Sequence, residues 1–342
     1  MNVLVTGGAG YIGSHVVIEL LDRGHQVVVI DDLSTGRREL VDQRARLVVG
    51  DIADAEKVRA IMADHAVEAV MHFAGSIVVP ESVEEPLKYY LNNTAKTRTL
   101  LQTCLDARVR RFVFSSTAAV YGQPEVIPVD ESAPTEPINP YGRSKLMTEW
   151  MLEDTAQATD LEYVALRYFN VAGADPKGRT GQATPDATHL IKVTTQTALG
   201  FRDKLSVFGT DYPTDDGTCV RDYIHVSDLA DIHVCALDYL ADGGESTVLN
   251  CGYGHGFSVR QVIDAVKRVG AVEFNVEDAP RRAGDPPALI ANPGALQRRF
   301  HWTPKHDDLD QIVATALAWE RRWQANHAES EVDGKTEKLH ET

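Results

Sequence analysis

Cysteine is scarce in this chain. Its 342 residues hold four, Cys104, Cys219, Cys235 and Cys251, scattered singly with no Cys-x-x-Cys pair. That spacing offers no disulfide framework and is expected of a cytoplasmic protein whose thiols serve as small apolar side chains. Long hydrophobic runs are also missing: apolar residues make up 43% of the chain, yet no window approaches the ~18 consecutive apolar residues of a membrane span. Positive charge is short. Lys and Arg number 34 against 50 Asp and Glu, for a net charge of -16, which argues against a nucleic-acid surface and leaves any anionic ligand to local arginines. The stretch Met1-Asn2-Val3-Leu4-Val5-Thr6 is not basic and turns glycine-rich at once, so it is expected to be a first strand rather than a signal peptide. Metal motifs are lacking as well. There is no His-Glu-x-x-His, and the acidic run Asp211, Asp215, Asp216 before Gly217 has its glycine out of place and no glutamate at the twelfth position of a calcium loop. No metal is expected.

What is present is alternation. β-Branched runs at Val3–Thr6, Gln26–Asp31, Arg46–Val49, Ala69–Phe73, Phe112–Ser115 and Tyr163–Tyr168 are separated by helical periodicity at Ile12–Arg23, Ala55–Asp64, Val83–Ala107 and Tyr141–Thr159. Strict alternation predicts an α/β fold, a Rossmann-type doubly wound parallel sheet, with ligands beyond the carboxyl ends of the strands. After about Asn170 the pattern loosens. A Gly/Pro/Thr-rich loop from Gly173 to Ala187 leads to a helix at His189–Leu199, strands at Lys204–Phe208 and Cys219–Ile224, and helices at Ser227–Tyr239, Val259–Val269 and Leu309–Trp323. We expect a dinucleotide-binding domain over 1–170, a smaller α/β substrate lobe over 171–325 with some elements returning to the sheet, and a polar tail over 326–342.

Directly after the first strand comes Gly7-Gly8-Ala9-Gly10-Tyr11-Ile12-Gly13. Gly7 permits a tight turn, Gly10 admits a pyrophosphate to the backbone, and Gly13 lets helix and strand pack closely, aiming a helix N-terminus at phosphate. Asp31, at the end of the second run, would accept hydrogen bonds from both ribose hydroxyls and repel a 2'-phosphate, favouring NAD over NADP. Asp51-Ile52 and Phe73-Ala74-Gly75 fall where an adenine edge and the dinucleotide backbone would lie. Further on, Asn139-Pro140-Tyr141-Gly142-Arg143-Ser144-Lys145 places a phenol and an ammonium one helical turn apart on a single face. Such a pair can act as a base toward an alcohol when a hydride acceptor lies beside it. Tyrosine and lysine at this spacing are also common on exposed helices, so the pair needs its context.

The context is Thr117, at the end of strand five in Ser115-Ser116-Thr117-Ala118-Ala119. Hydroxyl, phenol and ammonium occur in the order used by short-chain dehydrogenases of the extended type. From Met1 to about Trp323 the chain resembles the UDP-glucose 4-epimerases of that family. Phe208-Gly209-Thr210-Asp211-Tyr212-Pro213-Thr214, Arg221-Asp222-Tyr223-Ile224-His225-Val226, Arg167-Tyr168-Phe169-Asn170 and Pro280-Arg281-Arg282-Ala283-Gly284-Asp285 carry the resemblance beyond the shared dehydrogenase motifs. It implies NAD as cofactor, held by Gly7, Gly10, Tyr11, Ile12, Gly13, Asp31, Asp32, Leu33, Ser34, Thr35, Gly36, Asp51, Ile52, Phe73, Ala74, Gly75, Asn92, Ser115, Tyr141, Lys145 and Tyr168. It implies a UDP-sugar held by Thr117, Tyr141, Asn170, His189, Leu190, Phe208 at the uracil, Arg221 and Arg282 at the diphosphate, Asp285 at the ribose, and Leu289 beside the sugar. Tyr141, Lys145 and Thr117 would be catalytic, and the helices Val83–Ala107 and Tyr141–Thr159 would meet their copies in a homodimer.

Three departures stand out. Thr117 replaces a common serine, Ile77 stands where many relatives carry a lysine, and Leu289 replaces a bulkier tyrosine, which would admit an N-acetyl sugar. Among rivals, a 4,6-dehydratase needs an Asp-Glu pair where this chain has Ala118-Ala119, and a 4-keto reductase would use the NADPH that Asp31 disfavours. Epimerisation of UDP-N-acetylglucosamine, UDP-glucuronate or UDP-xylose stays open. So does, from another class, a noncatalytic NAD-binding regulator.

Overall fold

The computed structural model describes residues 1–185, 187–282 and 284–340, with residues 328–340 as backbone alone. Asp186 in the Gly173–Ala187 loop, Ala283 in the Pro280–Asp285 signature, and Glu341 and Thr342 of the tail lie outside the described residues. Six strands, β1 (Asn2–Thr6), β2 (Gln26–Asp31), β3 (Arg46–Val49), β4 (Ala69–His72), β5 (Arg111–Thr117) and β6 (Glu162–Tyr168), alternate with helices, and Thr247–Cys251 adds a seventh. They form one parallel sheet in the order Thr247–Cys251, β6, β5, β4, β1, β2, β3. Val5 is in register with Val29 on one side and Met71 on the other. The chain thus winds outward from β1 to β3, returns to β4 across β1, and leaves a crevice at the carboxyl ends between β1 and β4.

Both faces of the sheet are covered, which is why its strands read as nearly unbroken apolar runs. Val3, Val5, Val27, Val29 and Met71 pack on the face carrying Val16, Val17 and Leu20 of the helix Tyr11–Asp22 and Leu229 and Ile232 of the helix Val226–Ala241. Leu4, Val28, Ile30 and Val70 pack on the other, with Val58 and Ile61 of Ala55–Asp64, Leu100 and Cys104 of Lys96–Asp106, and Leu152 of Pro140–Ala158. Successive residues point to opposite faces, so each strand feeds both cores.

The later residues build three small sheets. Asn170–Ala172 pairs with Tyr223–His225, Val220–Arg221 lies between Phe257–Ser258 and Ala288–Leu289, and Leu205–Phe208 pairs with Val276–Ala279. Four expectations change. The helix expected over Val83–Ala107 is instead Val79–Glu84, Pro86–Tyr89, a π-helical turn at Tyr90–Ala95, and Lys96–Asp106; Pro86 has no N–H to continue the first helix. The run Cys219–Ile224 divides at Asp222, whose buried carboxylate accepts hydrogen bonds from the N–H groups of Tyr253, Gly254 and Ala291. Strand β5 extends to Thr117, and the final helix continues from Leu309 to His340, past the Trp323 at which the apolar periodicity stops. The strand Thr247–Cys251 was not foreseen; its five residues are a weak signal until β6 is there to pair with them.

Candidate active site

At the crevice the glycine turn closes through Gly10 N–H donating to the Gly7 carbonyl at 3.1 Å. Gly7 has φ +69, and a Cβ there would lie 2.6 Å from Ala74 N, while one on Gly13 would collide with the Gly7 carbonyl. Gly10 caps the helix Tyr11–Asp22 with no side chain, so the first-turn N–H groups of Tyr11 and Ile12 remain for an anionic group. The Tyr11 phenol itself donates to the Gly173 carbonyl at 2.7 Å. Asp31 accepts from Ala9 N and Leu33 N, both at 2.9 Å, and burial raises its carboxyl above the ordinary value while those bonds pull it back. Leu33 to Gly36 fold around it: Leu33 has φ 58, a Cβ on Gly36 would sit 2.8 Å from Asp31 Oδ1, and Asp32 accepts from Ser34 N at 2.9 Å. Asp51 is tied to Lys96 Nζ at 2.6 Å, with Ile52 buried behind it. Phe73 packs its ring on His233 at 4.8 Å, and Asn92 donates to Ser76 Oγ at 3.0 Å.

The reactive set is fixed by a helix start. Asn139 Oδ1 accepts from Gly142 N at 2.9 Å, and Pro140 occupies the first turn, a capped beginning that orients Tyr141 and Lys145 toward the end of β5. Burial raises the Tyr141 phenol above its ordinary value, and the neighbouring Thr117 hydroxyl eases that rise. Lys145 Nζ donates to the Ser115 carbonyl at 2.9 Å and lies 5.0 Å from the Phe114 ring centroid. Burial lowers the Lys145 ammonium to about 8, against the opposing charge of Glu149. Burial thus drives both groups toward neutrality, and Thr117 is the neighbour that eases Tyr141. Ser115 Oγ meets the Tyr168 hydroxyl, placing both at the carboxyl edge beside Lys145.

The residues expected at a nucleotide sugar fall into two adjoining groups. Asn170, His189 and Leu190 line one cavity of about 40 Å³, and Asn170 Nδ2 donates to the Asp222 carbonyl at 3.4 Å. The Arg282 guanidinium lies 3.8 Å from the Phe208 ring centroid, Arg221 approaches Asp285 at 3.6 Å, and Leu289 is in register with Arg221. Leu289 also packs with Val120, Tyr121 and Leu146, which joins this second group to the helix carrying Tyr141.

Sequence reasoning missed the groups that hold this set. Glu149, one turn beyond Lys145, is buried against Arg167 with Nε to Oε1 at 3.0 Å, and it also accepts from Ser116. Arg167 continues to the Tyr121 hydroxyl at 2.9 Å, and Tyr121 to Asn250 at 2.8 Å. Asn93, in the π-helical turn, bridges Ser76 and Ser144, a use of that geometry frequent near functional sites. His72 links Thr6 and Thr97 at 2.6 and 2.8 Å, its imidazole lowered to about 3 by burial and by the charge of Lys145. The legible signal was the series Tyr141, Lys145, Glu149 at four-residue steps.

Comparison with known proteins bears directly on this arrangement. The model of the NAD dependent epimerase/dehydratase family matches residues 3–252. The chain belongs to that family. It is 61% identical over 320 residues to a UDP-glucose 4-epimerase of Azospirillum brasilense, covering 94% of this chain and 92% of that one. Among solved structures it resembles the UDP-glucose 4-epimerase of Brucella ovis in complex with NAD, with 46% identity, a TM-score of 0.90 and coverage of 93% and 97%. It also resembles the UDP-Glc/GlcNAc 4-epimerase of Campylobacter jejuni, with 48% identity, a TM-score of 0.83 and coverage of 94% and 99%. An NAD-dependent epimerase fold and a parallel seven-stranded sheet are thereby shared along nearly the whole chain. Among the described residues no helix is long and apolar enough to cross a membrane.

Proposed function

We propose that the chain is a UDP-glucose 4-epimerase, interconverting UDP-glucose and UDP-galactose through a 4-keto sugar. The observation that carries this is Lys145 seated on the Ser115 carbonyl at the carboxyl edge of β5, one helical turn from Tyr141 on the helix Pro140–Ala158, where β5 ends at Thr117. NAD fits here, because a side chain on Gly7 or Gly13 would fill the turn and Asp31 sits at the end of β2. When bound, it supplies reversible hydride acceptance at sugar C4. Tyr141 takes the proton of the 4-hydroxyl with Thr117 beside it to share that proton, and the Lys145 ammonium would favour the tyrosinate by its charge once substrate and cofactor are in place. Arg221 and Arg282 hold the diphosphate by charge-assisted bonds, while the 4-keto sugar turns to present its other face and Tyr141 returns the proton. Ala118 and Ala119, which follow Thr117 in a buried 3-10 turn, offer no acid or base to carry the reaction on to elimination.

On this reading, residues 171–325 form the substrate lobe and act from the carboxyl edge of the sheet. The chain works as a homodimer, supported by the exposed Val83, Leu87, Leu91 and Trp150 on helices that a second copy would cover. Its free cysteines suit the cytoplasm. A second reading is favoured by Leu289, whose side chain, smaller than a tyrosine, would leave room for an N-acetyl group, in keeping with the likeness to the UDP-Glc/GlcNAc 4-epimerase of Campylobacter jejuni. Incubation with UDP-galactose, UDP-N-acetylgalactosamine, UDP-glucuronate and UDP-xylose in turn, with the epimers resolved, tests both. Turnover of UDP-galactose is expected, and spectral silence with no epimer from any of the four would sink the proposal in favour of a noncatalytic NAD-binding protein.

A further inference from the structure

Lys192 and Glu320 form an ion pair whose side chains are 6% and 1% exposed, and the proposed chemistry makes no use of it. Removing two charges from water is costly, and an apolar pair of similar volume is often at least as stable, so stability alone gives such a pair little reason to exist. Its connections lead to the substrate residues. Besides Glu320, Lys192 Nζ donates to the Gln182 carbonyl at 2.7 Å, which also accepts from Trp319 Nε1 at 3.2 Å. The Gln182 side-chain amide donates to His189 Nδ1 at 3.0 Å. His189 caps the helix Leu190–Ala198, and Lys192 lies in that helix's first turn. On the far side, Glu320 is held by Gln196 at 3.1 Å and Gln324 at 2.8 Å. Lys192, Trp319 and Glu320 line the same cavity as Asn170, His189 and Leu190.

We propose that Lys192 and Glu320 are positioning residues for the nucleotide-sugar site, linking the final helix through Gln182 to His189 and Leu190. The loop and the helix start are each pinned from the final helix, so the orientation of His189 is set by a residue more than a hundred positions away. This inference rests on the UDP-sugar reading of the site.

The test compares the native enzyme with the double variant Lys192→Met/Glu320→Met, which keeps volume while removing both charges. A second variant, Gln182→Leu, cuts the link to His189 and spares the ion pair. Steady-state kinetics with UDP-galactose, calorimetric titration with UDP and the NAD content are measured for each. Loss of a bond that orients a ligand-facing residue predicts a KM and a UDP dissociation constant raised about threefold to tenfold. The kcat and the bound NAD should stay close to native. Should the double variant fail to fold, Gln182→Leu decides alone. Unchanged KM and UDP affinity in Gln182→Leu, or in a folded double variant, would overturn the inference. A native enzyme that neither binds UDP nor epimerises any UDP-sugar would instead overturn the reading beneath it.

Discussion

Substituting Lys145 by methionine is expected to raise the stability of the protein at neutral pH while removing its activity. The side chain is 3% exposed, and burial lowers its ammonium from the ordinary 10.5 to about 8. With the folded value below the unfolded one, the unfolded chain binds more protons between about pH 8 and 10.5, so native stability rises with pH across that window and the penalty stands in full below it. The difference corresponds to roughly 3 kcal/mol at pH 7. Methionine removes that penalty but gives up the 2.9 Å bond to the Ser115 carbonyl, and a bond from a charged donor is worth about 1.5–3 kcal/mol. A net gain of about 1 kcal/mol remains, or a rise of about 1–2 °C in Tm for a chain of this length, and it shrinks or reverses toward pH 10. Calorimetric scans of both proteins at pH 7 and 10, with matched NAD content, read this directly, and loss of the charge beside Tyr141 should cost about 100-fold or more in kcat. A variant less stable than the native protein at pH 7, or one whose difference from it ignores pH, would show that the buried Lys145 ammonium carries no such penalty.

Three other outcomes follow from the same geometry. Glu149→Gln leaves Arg167 buried without its carboxylate and should destabilise the fold by about 3–5 kcal/mol in thermal or urea unfolding; a loss below about 1 kcal/mol would mean that the pair is solvated. Asp31→Asn keeps the acceptor toward the backbone while removing the charge, so NADP should appear among the cofactors released on denaturation, and release of NAD alone would deny Asp31 its selective role. Leu87→Glu combined with Trp150→Glu charges two exposed apolar positions and should convert a dimer to a monomer in sedimentation; an unchanged species would place the contact elsewhere.

The first half of the fold was legible because its signals are local. The runs that became β1 to β6 are apolar and β-branched, Gly7, Gly10 and Gly13 fall within seven residues of one another, and Asp31 closes β2, so each element announces itself within a few residues. Tyr141 and Lys145 were legible for the same reason, since Asn139 and Pro140 mark the helix start that orients them. The second half depends on distant partners. Thr247–Cys251 becomes a strand only beside β6, and Asp222 divides its run because three N–H groups from two other segments converge on its carboxylate. The support beneath the site was hidden for a further reason. Glu149 and Arg167 look like ordinary surface charges until the helix Pro140–Ala158 is packed on β6, and only burial makes them a pair. The direction of the pKa shifts likewise depends on burial, which spacing alone cannot supply.

If Tyr141 moves the proton at sugar C4, the Tyr141→Phe variant loses turnover while keeping its cofactor. Native protein and variant, both with their NAD content measured, are incubated with UDP-galactose and the epimers resolved over time. UDP-glucose is expected from the native enzyme, and from the variant full NAD occupancy with kcat reduced by about 100-fold or more. Near-native turnover in Tyr141→Phe, or a native enzyme that leaves UDP-galactose untouched, would contradict that expectation.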